Sequence, residues 1–187
     1  GPRGVGKTTI ARIFTKAINC LDSKNGEPCN ACRNCSNINE NRDLDFIEMD
    51  AASHTQVDNV RENIINNARV PAASLKYKVF IIDEVHMLSI SSFNALLKTL
   101  EEPPAKTIFV LATTEIHKVP ETIISRCQRF DFHRLSKEIV FKRLEGICLK
   151  EKIIVDLEVL EKVAVRAGGY MRDAESLLGQ VLSLDLK

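Results

Sequence analysis

The first eight residues, Gly1 to Thr8, form the pattern G-x-x-x-x-G-K-[ST], which is typical of a loop that binds nucleotide phosphates. Glycines let backbone N–H groups turn towards a polyphosphate. Lys7 can reach the β- and γ-phosphates, and the Thr8 hydroxyl can bind Mg²⁺. A helix after the loop would direct its positive dipole end at the same phosphates. The residues expected to contact the nucleotide here are Gly1, Gly4, Val5, Gly6, Lys7, Thr8 and Thr9.

A second chemical signal is the run Ile81-Ile82-Asp83-Glu84, in which apolar residues lead into two carboxylates. Such a run is the usual partner of a phosphate loop, and Asp83 is expected to hold Mg²⁺ directly or through water. Glu84 can polarise an attacking water as a general base. The alternative for Glu84 is a solvated carboxylate at the end of a strand. With the phosphate loop, the pair predicts an enzyme that hydrolyses a nucleoside triphosphate.

Four cysteines follow the spacing C-x8-C-x2-C-x2-C. Four thiolates that converge with no open position are typical of a structural zinc site. An iron–sulfur cluster is the alternative, but the fourth cysteine usual a few residues later is missing, which favours zinc. Residues 30–41 carry few apolar side chains, so a metal is expected to organise this loop. The predicted zinc ligands are Cys20, Cys29, Cys32 and Cys35.

The composition excludes little. The chain has 187 residues, 44% of them hydrophobic, which suits one domain or one domain with a smaller companion. The net charge of +1 excludes neither nucleic acid nor an acidic partner. No apolar run approaches ~18 residues, so no membrane span is expected.

The cysteine cluster indicates a reducing cytosol, while Cys127 and Cys148 are expected to be packing residues. The strand that normally precedes a phosphate loop is absent, so we expect a piece of a longer protein.

Strands and helices are expected to alternate up to about residue 135, which favours a parallel sheet with helices on both faces. The expected strands are 45–50, 78–83, 107–112 and 129–132, the second and third being buried. The expected helices are 7–17, with Ile10, Ile13, Phe14 and Ala17 on one face, a second through Val57, Val60, Ile64 and Ala68, then 91–100, and a short helix before Ser125.

Only helices are expected after about residue 135. Ser136 is a candidate N-cap, and Val140, Leu144, Ile147 and Cys148 repeat at helical spacing. A second helix is expected after residue 156 and a third near residue 171. We therefore predict an α/β domain over 1–135, with a zinc module at about 20–42, and a small, incomplete helical domain over 136–187.

Four further polar residues are ambiguous from chemistry alone. Thr113 and Thr114 follow a predicted central strand, where hydroxyl groups can reach a γ-phosphate or its water. Arg126 and Arg172 stand near expected helix ends, where most arginines belong to the surface. Ordinary surface or strand-end positions remain the alternative for all four.

Five segments carry a resemblance to a known family: residues 1–8, 83–88, 93–104, 111–114 and 125–127. Taken together, they resemble the AAA+ ATPases of the bacterial DNA polymerase III clamp loader. The resemblance covers nearly the whole chain. Among clamp-loader subunits, the cysteine quartet and the intact Lys7 and Thr8 make the gamma/tau subunits the most similar.

The resemblance implies a P-loop NTPase (AAA+) fold with a helical lid, and it implies roles for the ambiguous residues. Thr114, with Thr113 as second choice, matches the sensor of the γ-phosphate. Arg126 matches an arginine finger that acts on ATP held by a neighbouring subunit. Arg172 matches a second sensor that reaches ATP from the lid. The expected catalytic residues are Lys7, Glu84, Thr114, Arg126 and Arg172.

The resemblance also implies cofactors, partners and location. The cofactors would be ATP, Mg²⁺ and Zn²⁺. The partners would be delta, delta-prime and further gamma/tau copies, a sliding clamp and primed DNA, with polymerase core and helicase where a tau-type tail exists. The setting would be the bacterial cytoplasm, and the chain would be an ATPase component of a DNA-directed DNA polymerase holoenzyme. Another AAA+ motor, delta-prime-like or acting on Holliday junctions, and a non-enzymatic zinc-dependent DNA-binding module are the alternatives.

Overall fold

A computed structural model describes residues 1–53 and 61–183 of the chain. It divides into two compact units, one formed by Thr8–Phe130 and the other by Gly1–Lys7 together with the residues from Asp131 onward. This division joins the first seven residues to the C-terminal helices, whereas the sequence suggests domains over 1–135 and 136–187. The domain assignment therefore stays a prediction.

The unit Thr8–Phe130 contains a parallel sheet in the order β1-β2-β3, formed by β1 (Phe46–Asp50), β2 (Lys78–Asp83) and β3 (Thr107–Leu111). The central strand β2 is buried at its first five positions, as its apolar run predicts. The expectation that β3 is also buried is wrong, because all five of its residues are only half-buried. In the described sheet β3 is an edge strand, and an edge strand keeps one side open.

Both faces of this sheet are covered, as predicted, because successive side chains of β2 point to opposite sides. Phe80 and Ile82 belong to one hydrophobic core, and Val79 and Ile81 belong to another. Helix α1 (Lys7–Asn19) contributes Ala11 to the second core, and α2 (Arg33–Asn39) contributes Ile38. The first core receives residues from α4 (Ile90–Glu101), among them Phe93 and Leu96.

Shorter helical pieces complete this unit. They are a π-helical turn at Arg61–Asn66, α3 (Asn67–Arg69), α5 (Glu121–Ile124) and 3₁₀ turns at Val85–Met87 and Ile116–Lys118. The predicted positions Val57 and Val60 of the second helix lie outside the described residues, whereas Ile64 and Ala68 are buried as expected. In the part of the chain that the structure describes, no helix is long and apolar enough to cross a membrane.

The predicted apolar face of α1 is wrong. Ile10, Ile13 and Phe14 are exposed at 50%, 37% and 43%, and the buried positions are Ala11, Thr15 and Asn19. The reason is a set of polar contacts that make the other side of the helix the buried one. Asn19 donates to the backbone oxygen of Tyr77 at 3.2 Å and accepts from its N–H at 2.8 Å, directly before β2.

The predicted last strand at 129–132 is also wrong, because residues 128–136 have irregular backbone. Four alternating residues are a weak strand signal, and a strand exists only where a ladder of hydrogen bonds forms. The side chain pattern does not secure burial either, since Phe130 is 70% exposed.

The second unit contains α6 (Lys137–Glu151), α7 (Leu157–Arg166) and α8 (Met171–Ser183), close to the predicted positions. The Ser136 side chain accepts from the N–H of Ile139 and so caps α6. Buried residues from the three helices share one core, which contains Val140, Leu144, Cys148, Leu160, Val163, Ala164, Ala167, Ala174 and Leu178.

Candidate nucleotide-binding and hydrolysis site

The phosphate loop has the backbone shape that its glycines allow. Gly4 and Gly6 have φ angles of 70° and 93°, a region that residues with a Cβ rarely adopt. A Cβ added to Gly6 would meet nothing within 4 Å, so this part of the loop borders open space. The Lys7 ammonium group donates to the backbone oxygens of Gly1 and Pro2 at 3.1 and 2.8 Å. The loop thus already folds around the lysine, and its glycines fit a phosphate group.

The start of α8 contacts the same loop within this compact unit. The backbone oxygen of Gly4 accepts from the N–H groups of Met171 and Arg172 at 2.9 and 3.3 Å. The Cβ of Arg172 lies 3.3 Å from an ideal Cβ position on Gly4. The structure therefore brings Arg172, predicted only by resemblance to act on ATP, next to the phosphate loop.

Asp83 ends β2 and meets the residue that follows the lysine of the loop. The Thr8 hydroxyl donates to Asp83 Oδ2 at 2.5 Å, and Oδ1 accepts from the N–H of Glu84 at 2.9 Å. Hydroxyl and carboxylate oxygens are the hard ligands that Mg²⁺ prefers. Thr8 and Asp83 are 75 positions apart in the sequence, and together they offer two such oxygens, which fits the predicted magnesium site.

Glu84 turns sharply out of β2, with φ 45° and ψ 43° in the left-handed region. Its Oε2 accepts from the Thr114 hydroxyl at 2.9 Å and from the Thr114 N–H at 3.3 Å. Thr114 follows β3, and the carboxyl ends of neighbouring parallel strands meet at one edge of a sheet. Of the two threonines that the sequence singles out, Thr114 contacts Glu84, and Thr113 instead lies 3.0 Å from His86 Nδ1.

Sequence reasoning missed His86 and Glu115. His86 Nε2 lies 3.2 Å from Glu115 Oε1, and its Nδ1 lies 3.4 Å from Glu84 Oε2. Lys118 lies 2.8 Å from the other Glu115 oxygen and, more than any other group, lowers the pKa of Glu115. The signal available in the sequence was a histidine three positions after Asp83.

Arg126 follows α5 and is exposed. Its guanidinium group lies 2.5 Å from Glu101 Oε1 and donates to the backbone oxygen of Thr122. Glu101 is the last residue of α4, so an ion pair and a backbone contact hold the arginine at the surface. An exposed, oriented guanidinium can reach a group on another molecule.

The four cysteines of the predicted zinc module come together. Their Sγ atoms all lie within 4.8 Å of one another. Backbone N–H groups point at the sulfurs, from Cys29 to Cys20 and from Cys32 to Cys29, each at 3.3 Å. Four convergent thiols fit a tetrahedral metal with no open position. No further group of three or more metal-binding side chains is found among residues 1–53 and 61–183.

The cysteines differ in their surroundings. Backbone N–H groups, chiefly that of Leu21, lower the pKa of Cys32 to about 6, whereas burial raises the pKa of Cys35 to about 12. Hydrogen bonding from the Cys29 N–H lowers the pKa of Cys20. A bound metal would favour the thiolate at all four positions.

The segment that contains and follows the last two cysteines of the cluster is more ordered than the sequence suggests. The expected loop at 30–41 contains α2, whose Ile38 is fully buried against the sheet. Packing of Ile38 therefore stabilises this segment in addition to any stabilisation by a bound metal. Outside the cluster, Cys148 is buried as predicted, but the expectation that Cys127 packs inside is wrong, because Cys127 is exposed.

A phosphate loop and a parallel sheet with an acidic pair after its central strand define a P-loop nucleotide-binding fold, to which a cluster of four cysteines is added. Solved structures share this fold. The Thermotoga maritima RuvB Holliday junction branch migration motor superposes with a TM-score of 0.69 at 16% identity, covering 98% of this chain and 52% of that one. A DNA polymerase III gamma subunit-related protein from Thermotoga maritima has a TM-score of 0.51 at 23% identity, covering 98% and 63%. These likenesses establish the fold alone.

Sequence comparison is more specific. Residues 1–136 match the family model described as DNA polymerase III, delta subunit, and the chain belongs to this family. DNA polymerase III subunit tau of Bacillus subtilis is 53% identical over 98% of this chain and 32% of its own length. Subunit gamma of Buchnera aphidicola is 48% identical over 98% and 51%, and subunit tau of Escherichia coli is 46% identical over 98% and 28%. The chain thus spans at most about half the length of these relatives.

Proposed function

We propose that this chain is the ATP-hydrolysing part of a bacterial DNA polymerase III clamp-loader subunit of the gamma/tau type. The full protein would load a sliding clamp onto primed DNA during replication. Relatives named gamma and tau, similar over nearly the whole chain, support this proposal. The observation that carries the enzymatic part is geometric: Thr8 contacts Asp83, and Thr114 contacts Glu84, one residue further along.

ATP binding would use the phosphate loop and the residues that follow it. Lys7 would leave its contacts with the Gly1 and Pro2 oxygens and pair with the phosphates. Thr8 and Asp83 would hold Mg²⁺, which neutralises phosphate charge when bound. Thr9 would complete the first helical turn, whose N–H groups face an anion.

Hydrolysis would depend on Glu84 as general base for the attacking water. Thr114 would sense the γ-phosphate, as the resemblance implies, and its hydroxyl donates to the carboxylate of the proposed base. Arg172 would reach the phosphates from the start of α8, beside Gly4. Arg126 would act on the ATP of a neighbouring subunit, which fits its exposed position at the surface.

Similarity to DNA polymerase III subunits supports a set of partners. Delta, delta-prime and further gamma/tau subunits would assemble into a ring that holds the clamp and primed DNA in the bacterial cytoplasm. The polymerase core and helicase would join where a tau-type tail exists. Within the polymerase holoenzyme this chain would contribute ATP hydrolysis, and Zn²⁺ at the four cysteines would be structural. A motor for Holliday junctions is less well supported, because its likeness to this chain rests on 16% identity.

The proposal is tested by two substitutions in the full-length protein, assembled with its partner subunits. Glu84→Gln should bind ATP normally but lower kcat by about 10²- to 10⁴-fold, the usual contribution of a general base. Lys7→Ala should instead lose ATP binding. Glu102→Gln changes an exposed glutamate and serves as the control. Normal turnover by Glu84→Gln, or normal ATP affinity of Lys7→Ala, would contradict the proposed roles.

A further inference from the structure

The side chain of His86 is 6% exposed and touches groups on two segments of the chain. His86 lies in the 3₁₀ turn Val85–Met87, which follows β2. Nδ1 lies 3.0 Å from Thr113 Oγ1 and 3.4 Å from Glu84 Oε2, and Nε2 lies 3.2 Å from Glu115 Oε1. A buried imidazole whose two nitrogens both meet polar partners has a fixed orientation.

The neutral tautomer that carries its hydrogen on Nε2 suits the two shortest of these contacts. Its Nδ1 can accept from the Thr113 hydroxyl, and its Nε2 faces the Glu115 carboxylate. Thr113 Oγ1 in turn accepts from the N–H of Glu115 at 3.0 Å. These contacts connect residues 113–115, at the end of β3, to the turn at the end of β2.

Thr114 lies in the middle of residues 113–115, and its hydroxyl and N–H both donate to Glu84 Oε2. Glu84 itself has a φ of 45°, which glutamate rarely adopts. Its carboxylate is therefore aimed by contacts from the β3 end rather than by a relaxed backbone.

We propose that His86 is a positioning residue that holds Thr114 against the Glu84 carboxylate and so orients the base for ATP hydrolysis. The proposal rests on the proposed function of Glu84. His86 lies 3.4 Å from Glu84 Oε2 and acts mainly through Thr113 and Glu115, the two neighbours of Thr114.

Two conservative variants separate the contacts of the two ring nitrogens. His86→Asn keeps a polar atom near Nδ1, facing Thr113, whereas His86→Gln keeps one near Nε2, facing Glu115. In the full-length protein assembled with its partner subunits, His86→Ala should lower kcat by about 10- to 100-fold, since small misplacement of a catalytic group costs this much. The Kd for ATP, measured separately, should change less than about twofold, because the residues proposed to bind ATP are not altered.

His86→Asn should recover most of the lost kcat, and His86→Gln should recover little, because Nδ1 is the ring nitrogen that lies beside both Thr113 and Glu84. His117→Gln is the matched control: His117 lies 3.6 Å from Glu115 Oε2 but is 72% exposed, so its variant should keep wild-type kcat. Should His86→Ala fail to fold, Glu115→Ala cuts the same chain of contacts from the surface and should lower kcat in the same direction.

Several results would overturn the proposal. They are a kcat of His86→Ala or Glu115→Ala within twofold of wild type, no difference between the Asn and Ala variants, or a fall in ATP affinity as large as the fall in kcat. Glu84→Gln, measured in the same series, distinguishes the two levels. If Glu84→Gln turns over normally, the proposed function has failed. If Glu84→Gln is slow while His86→Ala and Glu115→Ala turn over normally, only the positioning role of His86 has failed.

Discussion

A lysine at the start of the buried strand β2 is the least expected single residue in the structure. The Lys78 and Asp45 side chains are 4% and 2% exposed, and their charged atoms lie 3.6 Å apart. Lys78 Nζ donates to the backbone oxygens of Asn67 and Val70 at 3.2 and 2.8 Å. Asp45 Oδ2 accepts three backbone N–H groups from residues 73–75. Each charge is thus hydrogen-bonded as well as paired, which a buried ion pair requires.

The Asp45 carboxylate should make stability depend on pH. Burial raises its pKa, but the N–H groups of residues 73–75 outweigh burial, and the net pKa is lowered. A lowered folded-state pKa contributes stability above the unfolded value, about 3.9, that is lost as pH falls through the folded value. Asp45→Asn should cost about 3–5 kcal/mol at pH 7, because it leaves Lys78 buried without its partner, and should weaken the acid dependence. Urea unfolding at several pH values measures both.

The control for this prediction is Asp22→Asn, which changes an exposed aspartate and should alter stability by less than about 0.5 kcal/mol. If the unfolding free energies of Asp45→Asn and wild type agree at pH 7, the buried pair has no role in stability.

The cysteine module combines a short helix with a metal-binding cluster. Helix α2 carries Cys35 and packs Ile38 into the core, while Cys20 follows α1. The four Sγ atoms therefore lie where two packed helices meet a loop. A metal at this point would link the elements covalently and stabilise the folded state by its binding free energy.

Metal analysis of the purified protein should find one zinc per chain, because four thiolates complete a tetrahedron. Cys32→Ser should lose the metal and lower Tm, since one ligand is removed. Cys127→Ser changes an exposed cysteine outside the cluster and should keep both the metal and the wild-type Tm. Iron with acid-labile sulfide in place of zinc would establish the rival cluster.

Element positions were largely predictable from the sequence, but the buried faces were less so. Apolar runs located β2, and the acidic pair located its carboxyl end. The face of α1 could not be predicted because small and polar residues such as Ala11 and Asn19 are the ones that pack, and side-chain hydrogen bonds decide it. The contact between Glu84 and Thr114 spans 30 positions, so only the folded sheet shows it, and the same holds for His86.

In the assembly that we propose, Arg126 acts between subunits; in this chain it is exposed and paired with Glu101. If Arg126 completes the ATP site of a neighbour, its loss should lower ATP hydrolysis in the neighbouring subunit. In rings that mix Arg126→Ala with wild-type subunits, hydrolysis should fall only at sites flanked by the variant. Arg129→Ala, a nearby exposed arginine, is the control. A defect confined to the variant's own ATP site would contradict action between subunits.

We propose that ATP hydrolysis by this chain is coupled to loading a clamp. The direct measurement is the ATPase rate of the full-length protein, assembled with its partner subunits, with and without sliding clamp and primed DNA. We expect clamp and DNA together to stimulate the rate strongly, and Glu84→Gln to abolish the stimulated rate. A rate that is unaffected by the clamp would contradict the clamp-loader assignment, although the chain would remain an ATPase.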